Sequence, residues 1–95
     1  MKNLKLIAAS LMVAQMSFAQ PSNNDCTGAT TLTPSPVCNP IAGTTLGATQ
    51  SFPGCAGTAN DDVWYTFIAT QTGHSINVSG NGNFNAVLQV YSGTC

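Results

Sequence analysis

The side chains able to do chemistry in this 95-residue chain are few: one histidine, His74, three acids, Asp25, Asp61 and Asp62, and four cysteines, Cys26, Cys38, Cys55 and Cys95. There is no glutamate, and the only basic residues are Lys2 and Lys5. His74 stands beside Ser75, but neighbours on a strand point to opposite faces, so the two make a poor base and nucleophile. A G-x-S-x-G elbow is absent from the sequence. These residues predict a non-catalytic chain, with His74 as a turn residue opening a strand.

Asn60-Asp61-Asp62 is the one acidic cluster. Asp61 and Asp62, with backbone carbonyls, could hold Ca²⁺ through hard oxygen ligands, although calcium usually takes more carboxylates. In the competing account the two carboxylates accept loop N–H bonds and terminate a strand ladder. No other metal or cofactor is expected, because the cysteines include no C-x-x-C pair and there is a single histidine. Trp64 and Tyr91 are the candidate binding residues: an exposed aromatic pair would make a sugar-stacking platform, whereas Trp64 inside a two-sided apolar strand would be core. Asn77-Val78-Ser79 matches a glycosylation sequon, to which no role is assigned.

The N-terminus sets the compartment. Lys2 and Lys5 form a positive n-region, Leu6 to Val13 an apolar stretch broken only by Ser10, and Ser17-Phe18-Ala19 a small-x-small cleavage site. The apolar run stops short of a membrane span, which needs about 20 predominantly apolar residues. Residues 1–19 are therefore expected to be a signal peptide helix removed after Ala19, and residues 20–95 a secreted or cell-surface module. No cysteine follows the cut, so no lipid anchor is expected there. Both basic residues leave with the signal, so residues 20–95 cannot neutralise a phosphate backbone or an anionic lipid surface. Nucleic acid is excluded as a partner, and so is a membrane beyond the signal peptide.

Export puts all four cysteines in an oxidising compartment. The preferred bridge is Cys26 to Cys38, closing a short Pro- and Thr-rich loop with a gain of about 3 kcal/mol. Cys95 would then pair with a cysteine outside this sequence, leaving Cys55 unassigned.

The elements that must position these residues are strands. Pro34, Pro36 and Pro40 rule out a helix over residues 33–40. Thr44 to Gln50 reads as a short edge strand, and residues 51–60 as a loop with Pro53, Gly54 and Gly57. Val63 to Ala69 has apolar groups on both faces and reads as a central strand. Gln71-Thr72-Gly73 is a turn, Ile76 and Val78 alternate with Ser75, Asn77 and Ser79, and residues 79–83 turn again. Phe84 to Tyr91 shows the cleanest two-residue period. The expected fold is all-β, an antiparallel β-sandwich, incomplete because only four or five strands are countable where a sandwich needs about seven.

Asn23-Asn24-Asp25-Cys26, Gly47-Ala48-Thr49-Gln50, DDVWYTFIAT, HSINVSG and FNAVLQVYSGTC, in this order, resemble a β-sandwich repeat of large secreted Bacteroidota proteins, a relative of the bacterial pre-peptidase C-terminal domain. The likeness spans nearly all of residues 23–95. It implies a jelly-roll-like accessory module of secreted peptidases, adhesins or other surface proteins, with further strands and a type IX sorting domain beyond residue 95. Asn85 stands where family members often carry Asp. The chain is thus expected to be the N-terminal piece of a longer protein. Three functions follow: an adhesion or substrate-targeting module for an extracellular polymer or protein, an accessory domain of an attached peptidase, or a carbohydrate-binding module.

Overall fold

The computed structural model describes residues 19–58 and 60–95. The signal segment, apart from Ala19, lies outside the described residues. Regular structure is sparse: a one-turn 3-10 helix at Cys26–Gly28 and two short strands, β1 (Thr30–Thr31) and β2 (Tyr65–Thr66). The described chain is mostly non-helical, and no closed sandwich forms among these residues.

The 3-10 turn follows from local chemistry. The Gly28 and Ala29 N–H groups donate to the Asp25 and Cys26 carbonyls at 2.9 and 3.1 Å. Ala29 then leaves in an extended conformation (ψ 135°) and feeds β1. A Cβ on Gly28 would overlap the Ser22 carbonyl, so this turn packs at a distance only glycine permits.

β1 and β2 pair in parallel, Thr30 opposite Tyr65 and Thr31 opposite Thr66. This corrects the expectation of an antiparallel arrangement for the ladder that forms. The two strands are not hairpin neighbours, and residues 32–64 return the chain to the same end, as a parallel pair requires. The ladder is extended by Thr30 N–H to the Trp64 carbonyl (3.0 Å) and Leu32 N–H to the Thr66 carbonyl (2.7 Å). Its sequence signal was the β-branched and aromatic run at 63–69, of which only the centre is laddered.

Residues 44–50 form a turn rather than a strand. The Thr44 hydroxyl accepts the Leu46 N–H at 3.1 Å, and the Ala48 N–H donates to the Thr45 carbonyl at 3.0 Å. Gly47, at φ 78°, takes the third position of this turn. A threonine hydroxyl that satisfies a nearby backbone group offers the chain an alternative to the ladder, and here that alternative wins.

The two expected turns further on are present. Residues 70–74 close on His74, whose Nε2 accepts the Thr70 and Gln71 N–H groups at 3.1 and 3.3 Å, while its ring packs edge-on against Phe67 at 5.3 Å. At residues 81–84 the Phe84 N–H reaches the Asn81 carbonyl at 3.3 Å, with Gly82 at φ 61°. Asn83 keeps a negative φ, so the turn has the glycine-first geometry that joins antiparallel strands. The flanking segments 75–79 and 84–91 are not laddered.

Burial is inverted relative to an ordinary domain. Among the described residues the only buried apolar side chain is Ala48, and the best buried side chains are polar: Asn23 at 8% and Asn24 at 6% exposure. Ile68 is 84% exposed, and Ile76, Val78, Phe84, Leu88 and Val90 are also open to water. The alternating strand patterns therefore present apolar faces that nothing among the described residues covers.

Candidate functional site

Two short asparagines build the centre of the structure. Asn24 Oδ1 accepts the Thr49 N–H at 2.7 Å, and its Nδ2 donates to the Thr49 hydroxyl at 3.0 Å. Asn23 Nδ2 donates to the Trp64 carbonyl at 3.1 Å, while the Asn23 carbonyl accepts the Trp64 N–H at 2.8 Å. An amide carries both donors and acceptors, so each asparagine replaces ladder bonds for a different segment. Residues 23–24, 48–49 and 62–64 are latched together in this way.

Asp62 continues the latch outward. Its Oδ2 accepts the Ser51 and Phe52 N–H groups at 2.7 and 3.4 Å, and its Oδ1 accepts the Trp64 indole N–H at 3.0 Å. Burial pushes the Asp62 carboxyl up, but these hydrogen bonds outweigh it and hold the pKa below the ordinary 3.8. The result is an aromatic cluster fixed in place. Trp64 and Tyr91 stack at 5.7 Å with 26° between their planes, and Phe52 meets Trp64 edge-on at 5.9 Å and Tyr91 at 6.2 Å. Phe52 and Tyr91 remain 56% and 54% exposed and Trp64 is half-buried, so the cluster lies at the surface. An open groove of about 320 Å³, lined by Gln50, Pro53, Gly54, Gly57, Thr58 and Asn60, adjoins it along the chain.

Trp64 and Tyr91, the expected binding pair, are thus brought together. Phe52 and the asparagine latch had no periodic or spacing signal; an Asn-Asn-Asp run ahead of a cysteine is the one hint the sequence contained. Asp61 is exposed, and Asp62 accepts the Ser51 and Phe52 backbone N–H groups and the Trp64 indole N–H through its two oxygens. Among the described residues, no group of three or more His, Cys, Asp or Glu comes together.

The disulfide corrects the expected pairing. Cys26 bonds Cys95, with Cα atoms 5.7 Å apart, whereas Cys38 is free and exposed, as is Cys55. Cys95 therefore finds its partner within this chain. The reason lies in the connections: the proline-bearing segment after β1 carries Cys38 away in irregular chain, while the stacking of Tyr91 on Trp64 and the Trp64–Asn23 bonds return residue 95 to the 3-10 turn. A disulfide is compatible with an oxidising compartment.

Acid separates the latch from the staple. A carboxylate whose folded pKa is depressed contributes stability above its unfolded value, and that contribution is lost as pH falls through the folded one. Trp64 fluorescence should therefore stay constant at neutral and mildly acidic pH and change only below 3.8. Asp62→Asn should abolish that transition and loosen the cluster at every pH, since its amide nitrogen offers donors to donors. An unaltered acid transition in the variant would show that another group controls it.

The chain matches no protein-family profile, no curated protein and no solved structure.

Proposed function

We propose that residues 20–95 form a non-catalytic extracellular β-sandwich module, secreted or displayed at a bacterial surface, that serves adhesion or substrate targeting. The observation that supports this best is the surface cluster of Phe52, Trp64 and Tyr91, held by a hydrogen-bonded carboxylate rather than by a core. Aromatic residues supply large contact area at low entropic cost, and fixing their geometry before binding avoids an ordering penalty. The uncovered apolar faces of 75–79 and 84–91 fit the reading that further strands of a longer chain complete the sandwich. The signal-peptide pattern and the disulfide fit export.

Carbohydrate recognition is the second reading, favoured by the half-exposed Tyr91 ring and by a groove on either side of Phe52 in the chain to which Gln50, Thr58 and Asn60 contribute amide and hydroxyl groups. With no Lys or Arg in residues 20–95, a neutral glycan suits this surface better than an anionic one. Retention on insoluble polysaccharides and on immobilised extracellular proteins tests both readings. Wild-type protein should be retained on at least one polymer, and Tyr91→Ala should lower affinity roughly tenfold, the scale of losing one aromatic contact worth about 1.4 kcal/mol. Retention that survives Tyr91→Ala and Phe52→Ala unchanged would place the contact elsewhere.

A further inference from the structure

We infer that Asn81 is a site of self-modification, at which the Gly82 backbone nitrogen converts the asparagine to aspartate and isoaspartate. Asn81-Gly82 is the only Asn-Gly step in the sequence. Both residues are exposed, in the turn closed by the Phe84 N–H and the Asn81 carbonyl. Gly82, at φ 61°, has open space where a Cβ would stand, and its N–H is held by no hydrogen bond among the described residues. The nucleophile is thus unhindered and uncommitted.

The step balances with water as the only co-reactant. The Gly82 nitrogen loses its proton and attacks Asn81 Cγ, forming the Cγ–N bond of a five-membered succinimide. The bond from Cγ to the side-chain nitrogen breaks, and ammonia leaves with the proton. Water then opens either carbonyl of the ring. One route gives an ordinary aspartate at 81, and the other routes the main chain through the side-chain carbonyl and adds one methylene to the backbone.

The other asparagines of residues 20–95 lack this combination. Asn23 and Asn24 are buried with their amides hydrogen-bonded. Asn39 precedes Pro40, which has no N–H to act as nucleophile, and Asn60, Asn77, Asn83 and Asn85 precede residues that carry a Cβ. At position 81 the product matters twice. It adds a carboxylate to a segment that has three Asp and no Lys or Arg, and the iso form lengthens the backbone by one methylene at the turn that joins segments 75–79 and 84–91.

Peptide mapping of the purified chain after incubation in mildly alkaline buffer, with enzymatic labelling of isoaspartate, tests this against a synthetic peptide of residues 79–85. The peptide containing residue 81 should convert at a rate within several-fold of the free peptide. Gly82→Ala should slow conversion several-fold or more, and Asn81→Gln should remove the isoaspartate label. The inference fails if Asn81 in the chain stays intact while the free peptide converts, or if Asn77 or Asn83 converts as fast as Asn81.

Discussion

Serine in place of Cys26 or Cys95 should lower the stability of the chain by about 4 kcal/mol, while serine at Cys38 or Cys55 should leave it unchanged within about 0.5 kcal/mol. The separation of 69 residues between Cys26 and Cys95 makes this the larger effect: the loop-closure entropy a cross-link removes from the unfolded chain grows with the logarithm of loop length. A bridge from Cys26 to Cys38 would constrain a far shorter loop and yield about 3 kcal/mol. Because few apolar side chains are buried, little else offsets the loss, and reduction should abolish the thermal transition altogether. Melting of the four single variants, with and without reductant, separates the two pairings. Equal losses in the Cys26 and Cys38 variants would restore the short bridge.

The second large effect concerns the polar centre. Asn24→Ala should cost about 2 kcal/mol, because it leaves the Thr49 N–H and hydroxyl without the partner they have at 2.7 and 3.0 Å. Asn24→Asp should fall between the two: it keeps an acceptor for the Thr49 N–H and loses the donor to the hydroxyl. Hydrogen exchange at Thr49 reads this directly, with faster exchange expected in Asn24→Ala than in the parent. Unchanged protection at Thr49 would show that the latch is dispensable. The Asn23 amide bonds the Trp64 carbonyl and not Thr49, so Asn23→Ala should leave protection at Thr49 unchanged, which distinguishes a latch from a general loss of packing.

What could be read from the sequence depended on whether the signal was local. Gln71 to Gly73 and Ser79 to Asn83 announce their turns through glycine and short polar side chains, and turns form at 70–74 and 81–84. The run at 63–69 marks the strand that pairs, and Trp64 and Tyr91, both singled out by their type, stack on each other. Non-local choices were not legible. Alternation at 75–79 and 84–91 says which faces are apolar but not what covers them. Spacing among four cysteines leaves several connectivities open, and the shortest loop was the wrong choice because the proline segment carries Cys38 away. Residues 44–50 have strand-like composition, yet the Thr44 hydroxyl and Gly47 bend them. The asparagine latch was invisible because a polar residue at the centre of a fold looks, in sequence, like one on its surface.

Trp64 is the only tryptophan, and it sits within the cluster proposed to contact the partner, so its emission reports that site and no other. The most direct test is therefore a fluorescence titration of the chain with the soluble form of whichever polymer retains it. A saturable shift in Trp64 emission is predicted, with a midpoint matching the retention assay and about tenfold weaker in Tyr91→Ala. Retention on the polymer with Trp64 emission unmoved at saturation would contradict the assignment of the Phe52–Trp64–Tyr91 cluster as the binding surface.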